Sequence, residues 1–188
     1  MGKKYILKIV IVLLCGLMSL TSCDDDNVPS LVTTTVSVEQ ILGGWKISDT
    51  KAYVDINWKY QVQVSSLGLK GKMDDAFADK AKDGSIFFKD KMAYFLRDGF
   101  VRDSSSYHLE DYIIYYDNAD LIGFYAPYMY VKFEDSRLVL YLRRKETMNL
   151  LEEDGSLSGW MGTIRDVVDD AQCEIRMDKE YLPIYDEL

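Results

Sequence analysis

The clearest pattern in the chain is an alternation of apolar and mostly polar residues over residues 52–64, with the apolar set running from Ala52 to Val64. A period of two predicts a long β-strand with one buried face. Turn pairs such as Asp98-Gly99 separate the runs that follow, so we predict a mainly β fold, an antiparallel barrel, with a two-sheet β-sandwich as the alternative. The further runs, rich in β-branched and aromatic residues, are 86–88, 92–96, 112–116, 124–133 and 138–143.

Three segments depart from the strand pattern. Residues 38–42 predict a short helical turn before the first strand, and residues 73–82 predict a polar helix with a small apolar minority. Over residues 161–177 a helical stripe of apolar residues overlaps a strand-like alternation that includes Cys173. We expect a helix to about Ala171, followed by a strand that buries Cys173.

The N-terminus has the pattern of a secretory signal. Lysines precede an apolar run at residues 9–20, which is too short to cross a bilayer, so we predict a signal peptide over residues 1–22. Leu20-Thr21-Ser22-Cys23 resembles the lipobox of bacterial lipoproteins. The resemblance implies cleavage before Cys23 and attachment of acyl chains such as palmitate, which would anchor the protein to a membrane. An ordinary signal peptide with an incidental cysteine is the alternative.

Three aspartates, Asp24, Asp25 and Asp26, follow that cysteine directly. Residues 23–36 lack the apolar content to fold, so we interpret them as a lipidated tether and residues 37–188 as one β domain. The aspartates resemble the acidic export signal of surface lipoproteins of Bacteroides and relatives, which implies the outer membrane and the cell surface. In many other bacteria an aspartate at this position resembles an inner-membrane retention signal instead.

The chain is acidic, with a formal net charge of −9. Loss of Lys3, Lys4 and Lys8 with the signal peptide takes that charge to −12. A protein this acidic repels a phosphate backbone, so nucleic acid is excluded as a partner. With Cys15 removed and Cys23 acylated, Cys173 has no cysteine with which to form an intramolecular disulfide.

A Gly-x-Trp pattern, Gly43 to Trp45, stands after the predicted helical turn and before the run of strands. This arrangement resembles the lipocalin-like barrels. The resemblance implies that Trp45 closes the barrel floor and that Gly43 lets the chain pass closely beneath it. Two features depart from that family: the Thr-Asp-Tyr signature of animal lipocalins is missing, and the helix at residues 73–82 interrupts the strands early.

Motifs for chemistry are scarce. The single histidine, His108, stands in the polar stretch 104–111, which we interpret as a loop with a surface histidine. One imidazole does not supply the usual site of two or three that binds a metal. Carboxylates are numerous, but no pattern places two of them together for acid–base chemistry. We therefore predict a protein that is not an enzyme and uses neither cofactor nor metal.

Tyrosine is abundant, with 14 residues, many of them between residues 94 and 141. Its apolar ring and single hydroxyl suit a half-wet cavity or a recognition surface. We expect the barrel to bind a small, mostly apolar ligand; the alternative is that these rings are barrel fillers and cross-strand pairs. The other functional interpretation is a non-catalytic accessory or interaction module of an outer-membrane assembly. The residues expected to face inward and bind the ligand are Trp58, Tyr112, Tyr128 and Tyr130, a choice that depends on register.

Overall fold

The computed structural model describes residues 29, 35–57, 59–60, 66–118, 126–155 and 161–181. Among these residues, eight antiparallel strands follow one another around a closed barrel, and the first strand also pairs with the last. The predicted antiparallel barrel is confirmed, and the sandwich alternative is wrong. The architecture is consistent with a lipocalin-like barrel. The strands are β1 (Gly43–Ile56), β2 (Gly84–Lys89), β3 (Met92–Arg97), β4 (Phe100–Glu110), β5 (Ile113–Tyr116), β6 (Tyr128–Glu134), β7 (Arg137–Leu142) and β8 (Val168–Glu180).

One hydrophobic cluster with members from all eight strands occupies the barrel interior. Leu140 on β7 shows how the register builds it, because its cross-strand partners are Val131 on β6 and Ile175 on β8. All three side chains have no exposed surface. Since paired residues of neighbouring strands point to the same side of a sheet, these positions identify the inner face of β6, β7 and β8.

One end of the barrel is covered by the short helix α1 (Val38–Ile41). Trp45 lies beside it, 3% exposed, and its indole Nε1–H donates a hydrogen bond of 2.7 Å to the carbonyl oxygen of Ile41. Gly43 has a φ of 100°, a left-handed conformation that favours glycine. A Cβ at this position would lie 3.0 Å from Lys179 Nζ, the movable end of a side chain, so it is the backbone conformation that requires glycine.

A long helix, α2 (Ser66–Ala81), joins β1 to β2 and takes the place of a strand partner. The strand β2 pairs only with residues 43–46, so in the part of the chain that the structure describes no strand lies beside the rest of that edge of β1. Asp74 Oδ1 accepts a hydrogen bond of 2.6 Å from the Ala52 N–H, and Phe77 is fully buried in the core cluster. The helix therefore satisfies and covers an edge that would otherwise be open.

The remaining helices, α3 (Arg144–Asp154) and α4 (Met161–Val167), lie between β7 and β8. The helix α4 ends at Val167, earlier than the predicted Ala171, and Cys173 is buried in the following strand as predicted. The predicted helix at 73–82 exists but begins at Ser66. No pattern in the sequence predicted α3. None of the helices in the described ranges is long and apolar enough to cross a bilayer.

Two strand predictions need correction. Residues 104–111 were interpreted as a loop, which is wrong, since most of them belong to the 11-residue strand β4. Small serines at its inner and outer positions hide the alternation. The strand β1 spans 43–56, whereas the predicted strand ran over 52–64, of which residues 58 and 61–65 lie outside the described residues. The predicted signal peptide, Cys23 and Asp24–Asp26 lie outside them as well.

Candidate functional site

Two of the expected ligand-binding residues, Tyr128 and Tyr130, are on the outer face of the barrel. The inner positions of β6 are Met129 and Val131, which are 2% and 0% exposed and belong to the core cluster. The tyrosines alternate with them and are half-buried. The expectation that they face the interior is therefore wrong. Tyr112 is also outside, because its ring stacks on Tyr130, and Trp58 lies outside the described residues.

These tyrosines belong to a continuous run of aromatic rings on the outside of β4–β7. Register produces the run, because His108, Tyr115 and Tyr128 are successive cross-strand partners, as are Tyr130 and Tyr141. Ring centroids are 4.9 Å apart for His108–Tyr115, 5.9 Å for Tyr115–Tyr128 and for Tyr128–Tyr130, and 5.3 Å for Tyr130–Tyr141. Such distances are typical of attractive aromatic pairs. We call this surface the tyrosine face: His108, Tyr112, Tyr115, Tyr128, Tyr130 and Tyr141.

Two cations lie over rings of the tyrosine face. The guanidinium carbon of Arg143 is 5.2 Å from the centroid of Tyr130, and Lys132 Nζ is 5.3 Å from that of Tyr141, both within cation–π range. Arg143 is exposed and takes part in none of the ion pairs found within the described ranges. Its donors are therefore available to a binding partner.

The tyrosine face is tied to a helix at one edge. The Tyr128 hydroxyl donates a short hydrogen bond to Glu146 of α3. This hydrogen bond, together with burial and the negative charge of Glu146, raises the pKa of Tyr128 well above its usual value. Burial in turn raises the pKa of Tyr141 to about 12. Both hydroxyls thus stay protonated at neutral pH, and the edge beside α3 is held in place.

A buried ionic cluster lies next to the tyrosine face, centred on the fully buried Glu174 of β8. Its carboxylate accepts hydrogen bonds from Lys132 Nζ at 2.7 Å, Arg176 Nη2 at 2.9 Å and Gln172 Nε2 at 2.8 Å. Burial alone would raise the pKa of this carboxyl, but the hydrogen bonds and charges of Lys132 and Arg176 lower it below its usual value. Glu174 is consequently ionised at neutral pH and engages the lysine that lies over Tyr141.

The barrel interior carries one polar group of interest, the hydroxyl of Tyr116. It is buried and makes no hydrogen bond to any of the described residues, and burial raises its pKa. Tyr107, its cross-strand partner, donates to the Asp90 carbonyl oxygen at 3.2 Å instead. An unpartnered buried hydroxyl costs free energy, so this position would favour a bound water or a ligand with a hydrogen-bond acceptor.

The other candidates for chemistry are placed as follows. His108 is a surface residue as expected, but it lies on β4 in the tyrosine face and not in a loop, with its Nε2 3.7 Å from Glu110 Oε1. Burial raises the pKa of the Cys173 thiol, which favours its unreactive protonated form. In the part of the chain that the structure describes, no group of three or more histidine, cysteine, aspartate or glutamate side chains could hold a metal ion.

A signal for the outer face was present in the sequence. On β6 Lys132 shares its parity with Tyr128 and Tyr130, while the other parity carries Met129 and Val131. A lysine is rarely placed in a barrel interior, so it marks the tyrosine side as the outside. Comparisons of the chain with protein-family models, with curated proteins and with solved structures find no match.

Proposed function

We propose that this protein is a non-catalytic lipoprotein, anchored through Cys23 in the outer membrane and exposed at the cell surface, that binds a protein partner through the tyrosine face. The observation that carries the proposal is the run of tyrosines on the outside of the barrel, next to the exposed Arg143. All of these tyrosines are half-buried except Tyr141, which is buried. Tyrosine and arginine are enriched in protein interfaces and in their energetic hot spots. The membrane assignment rests on the lipobox and Asp24–Asp26.

Site-specific photo-crosslinking in intact cells tests the partner. A photoreactive amino acid at Tyr112 samples the tyrosine face, and the same amino acid at Tyr94, on the outer side of β3, samples another part of the barrel surface. The proposal expects a discrete crosslinked species from position 112 and none from position 94. Equal crosslinking from both positions, or none from position 112, would refute it.

Lipidation and routing have separate tests. Metabolic labelling with a fatty-acid analogue should mark the mature protein, and Cys23→Ala should abolish the label; unlabelled mature wild type would refute the anchor. Replacing Asp24, Asp25 and Asp26 with alanine should leave the thermal stability unchanged but reduce cleavage by protease added to intact cells. Unchanged cleavage would remove the export-signal interpretation.

Binding of a small, mostly apolar ligand inside the barrel is a second candidate function. Tyr116 favours it, because its buried hydroxyl has no partner among apolar neighbours. The test compares a medium-chain ketone with the alkane of the same length by tryptophan fluorescence. The ketone should bind more tightly to the wild type, and Tyr116→Phe should remove that preference. If neither compound binds, this second function fails while the surface function stands.

A further inference from the structure

We infer that the tyrosine face recognises an acidic segment of a protein, with Arg143 as the central donor to a carboxylate. The inference deepens the proposed function and rests on it, since it names the chemistry of the partner that binds this same face. It is not what the composition suggests, because a chain with a net charge of −9 should repel an acidic partner.

Ring packing determines which part of each tyrosine meets the partner. Tyr130 lies between Tyr112 on the β5 side and Tyr141 on β7, and both neighbours are within 21° of parallel to it. Two tyrosines and the Arg143 guanidinium thus lie against the Tyr130 ring, and mainly its edge is left for the partner. The edge of an aromatic ring carries partial positive charge, whereas its face is negative.

The cations add to this positive character. Lys132 is already engaged by Glu134 at 2.8 Å and by Glu174 at 2.7 Å. Arg143, in contrast, is exposed above Tyr130 and has no ion-pair partner among the described residues. What the face presents is thus ring edges and a guanidinium fork without an ion-pair partner among the described residues, and a carboxylate accepts from such a fork in a bidentate manner.

The same packing favours a protein over an acidic polysaccharide. A sugar ring that stacks needs an open aromatic face, and the Tyr130 ring already has two tyrosines and Arg143 against it. A protein partner needs none, because its carboxylates pair with Arg143 and its apolar side chains pack against ring edges. A single arginine among several tyrosines is also the composition typical of a protein hot spot.

The test uses the full mature protein in detergent and three fluorescently labelled polymers: poly-L-glutamate, polygalacturonate and poly-L-lysine. Fluorescence anisotropy at low salt should show binding of poly-L-glutamate, and Arg143→Ala should weaken it about fivefold, as expected for one exposed charge pair. Arg143→Lys keeps the positive charge but loses the guanidinium fork, so its affinity for poly-L-glutamate should lie between that of the wild type and that of Arg143→Ala. The matched control is Arg102→Ala, because Arg102 is also exposed and lies 5.9 Å from a ring centroid, that of Phe100 on β4. It should change the affinity less than twofold.

Several results would overturn the inference. They are failure of poly-L-glutamate to bind, equal weakening by Arg143→Ala and Arg102→Ala, or a loss of poly-L-lysine binding in Arg143→Ala as large as the loss of poly-L-glutamate binding. Binding of polygalacturonate that depends on Arg143, without binding of poly-L-glutamate, would reassign the face to an acidic polysaccharide. If crosslinking from position 112 still captures a discrete partner in any of these cases, the proposed function stands and only the acidic chemistry is wrong.

Discussion

Removal of the Glu174 carboxylate should destabilise the fold more than removal of any exposed acid. Glu174→Ala leaves Lys132, itself 7% exposed, and Arg176 without the buried carboxylate that now bonds to both. Breaking a buried ion pair by removing one partner typically costs about 3–5 kcal/mol. We expect about 3 kcal/mol, the lower end, because Glu134 still lies 2.8 Å from Lys132 and 3.3 Å from Arg176. Urea unfolding followed by circular dichroism measures the difference.

Glu134→Ala is the matched control, since Glu134 pairs with the same two cations but its side chain is 39% exposed. Exposed ion pairs contribute about 0–1 kcal/mol, so this variant should lose less than 1 kcal/mol. If Glu174→Ala costs no more than Glu134→Ala, burial does not strengthen the Glu174 pairs, and the reasoning is refuted.

A comparison of the wild type with Glu174→Ala also tests how the stability depends on pH. Because the folded-state pKa of Glu174 is lowered, its stabilisation is complete above the unfolded pKa of about 4.3 and is lost as the pH falls through the folded value. The free-energy gap between wild type and Glu174→Ala should thus be full at neutral pH and should shrink under acid. Burial opposes ionisation of Lys132, but hydrogen bonds to Glu134 and Glu174 raise its pKa, so the wild type also loses stability as the pH rises above the usual lysine value. A gap that widens in acid would contradict this assignment.

Three further predictions concern single side chains and are read from urea unfolding. Tyr116→Phe should stabilise the protein by about 1 kcal/mol, because it removes a buried hydroxyl that makes no hydrogen bond; a loss of stability would show that a water or ligand satisfies it. Trp45→Ala should lower the free energy of unfolding by about 3–5 kcal/mol, and Trp45→Phe should lower it clearly less. A small loss in Trp45→Ala would show that this ring does not close the end of the barrel near α1. Gly84→Ala should cost about 1–3 kcal/mol, since its Cβ would lie 2.9 Å from Ile47 Cδ1 and 2.9 Å from Phe95 Cε2. Gly71→Ala, in α2 with nothing within 4 Å, should instead stabilise by about 0.5–1 kcal/mol, and equal effects at the two glycines would contradict the packing at Gly84.

The barrel could be predicted because most strands carry their signal locally. Apolar runs and turn residues indicated β2, β3, β5, β6 and β7 to within a few residues, since burial of one face leaves a period of two. The strand β4 escaped because serine occupies successive positions 104–106 and because a register shift opposite Phe95 and Leu96 breaks the alternation. The sequence also did not predict that β2 pairs with only the first four residues of β1, since this depends on α2 packing against the rest of β1.

The role of the expected residues in binding stays a prediction, but the side of the barrel on which three of them lie differs from the expectation. Tyr112, Tyr128 and Tyr130 do come together, as the sequence reasoning required. Their face was wrong because both parities of β6 are rich in large side chains, so hydrophobicity alone does not distinguish them. Lys132 on β6 and Arg143 just after β7 carried the decisive information, and the partners that they find across strands appear only when the register is known.

The outward orientation of these tyrosines also supports the proposal that the protein binds its partner on the outer surface of the barrel. In a closed barrel the inward side chains must pack against one another. The outward side chains need only be compatible with a strand. Threonine or valine at position 130 would serve the strand as well, whereas Tyr128 also anchors α3 through its hydrogen bond to Glu146. Folding therefore explains Met129 and Val131 but leaves the neighbouring Tyr130 unexplained. Such a tyrosine lies beside Arg143, which has no ion-pair partner among the described residues. An aromatic residue that the fold does not need is expected where a protein binds a partner.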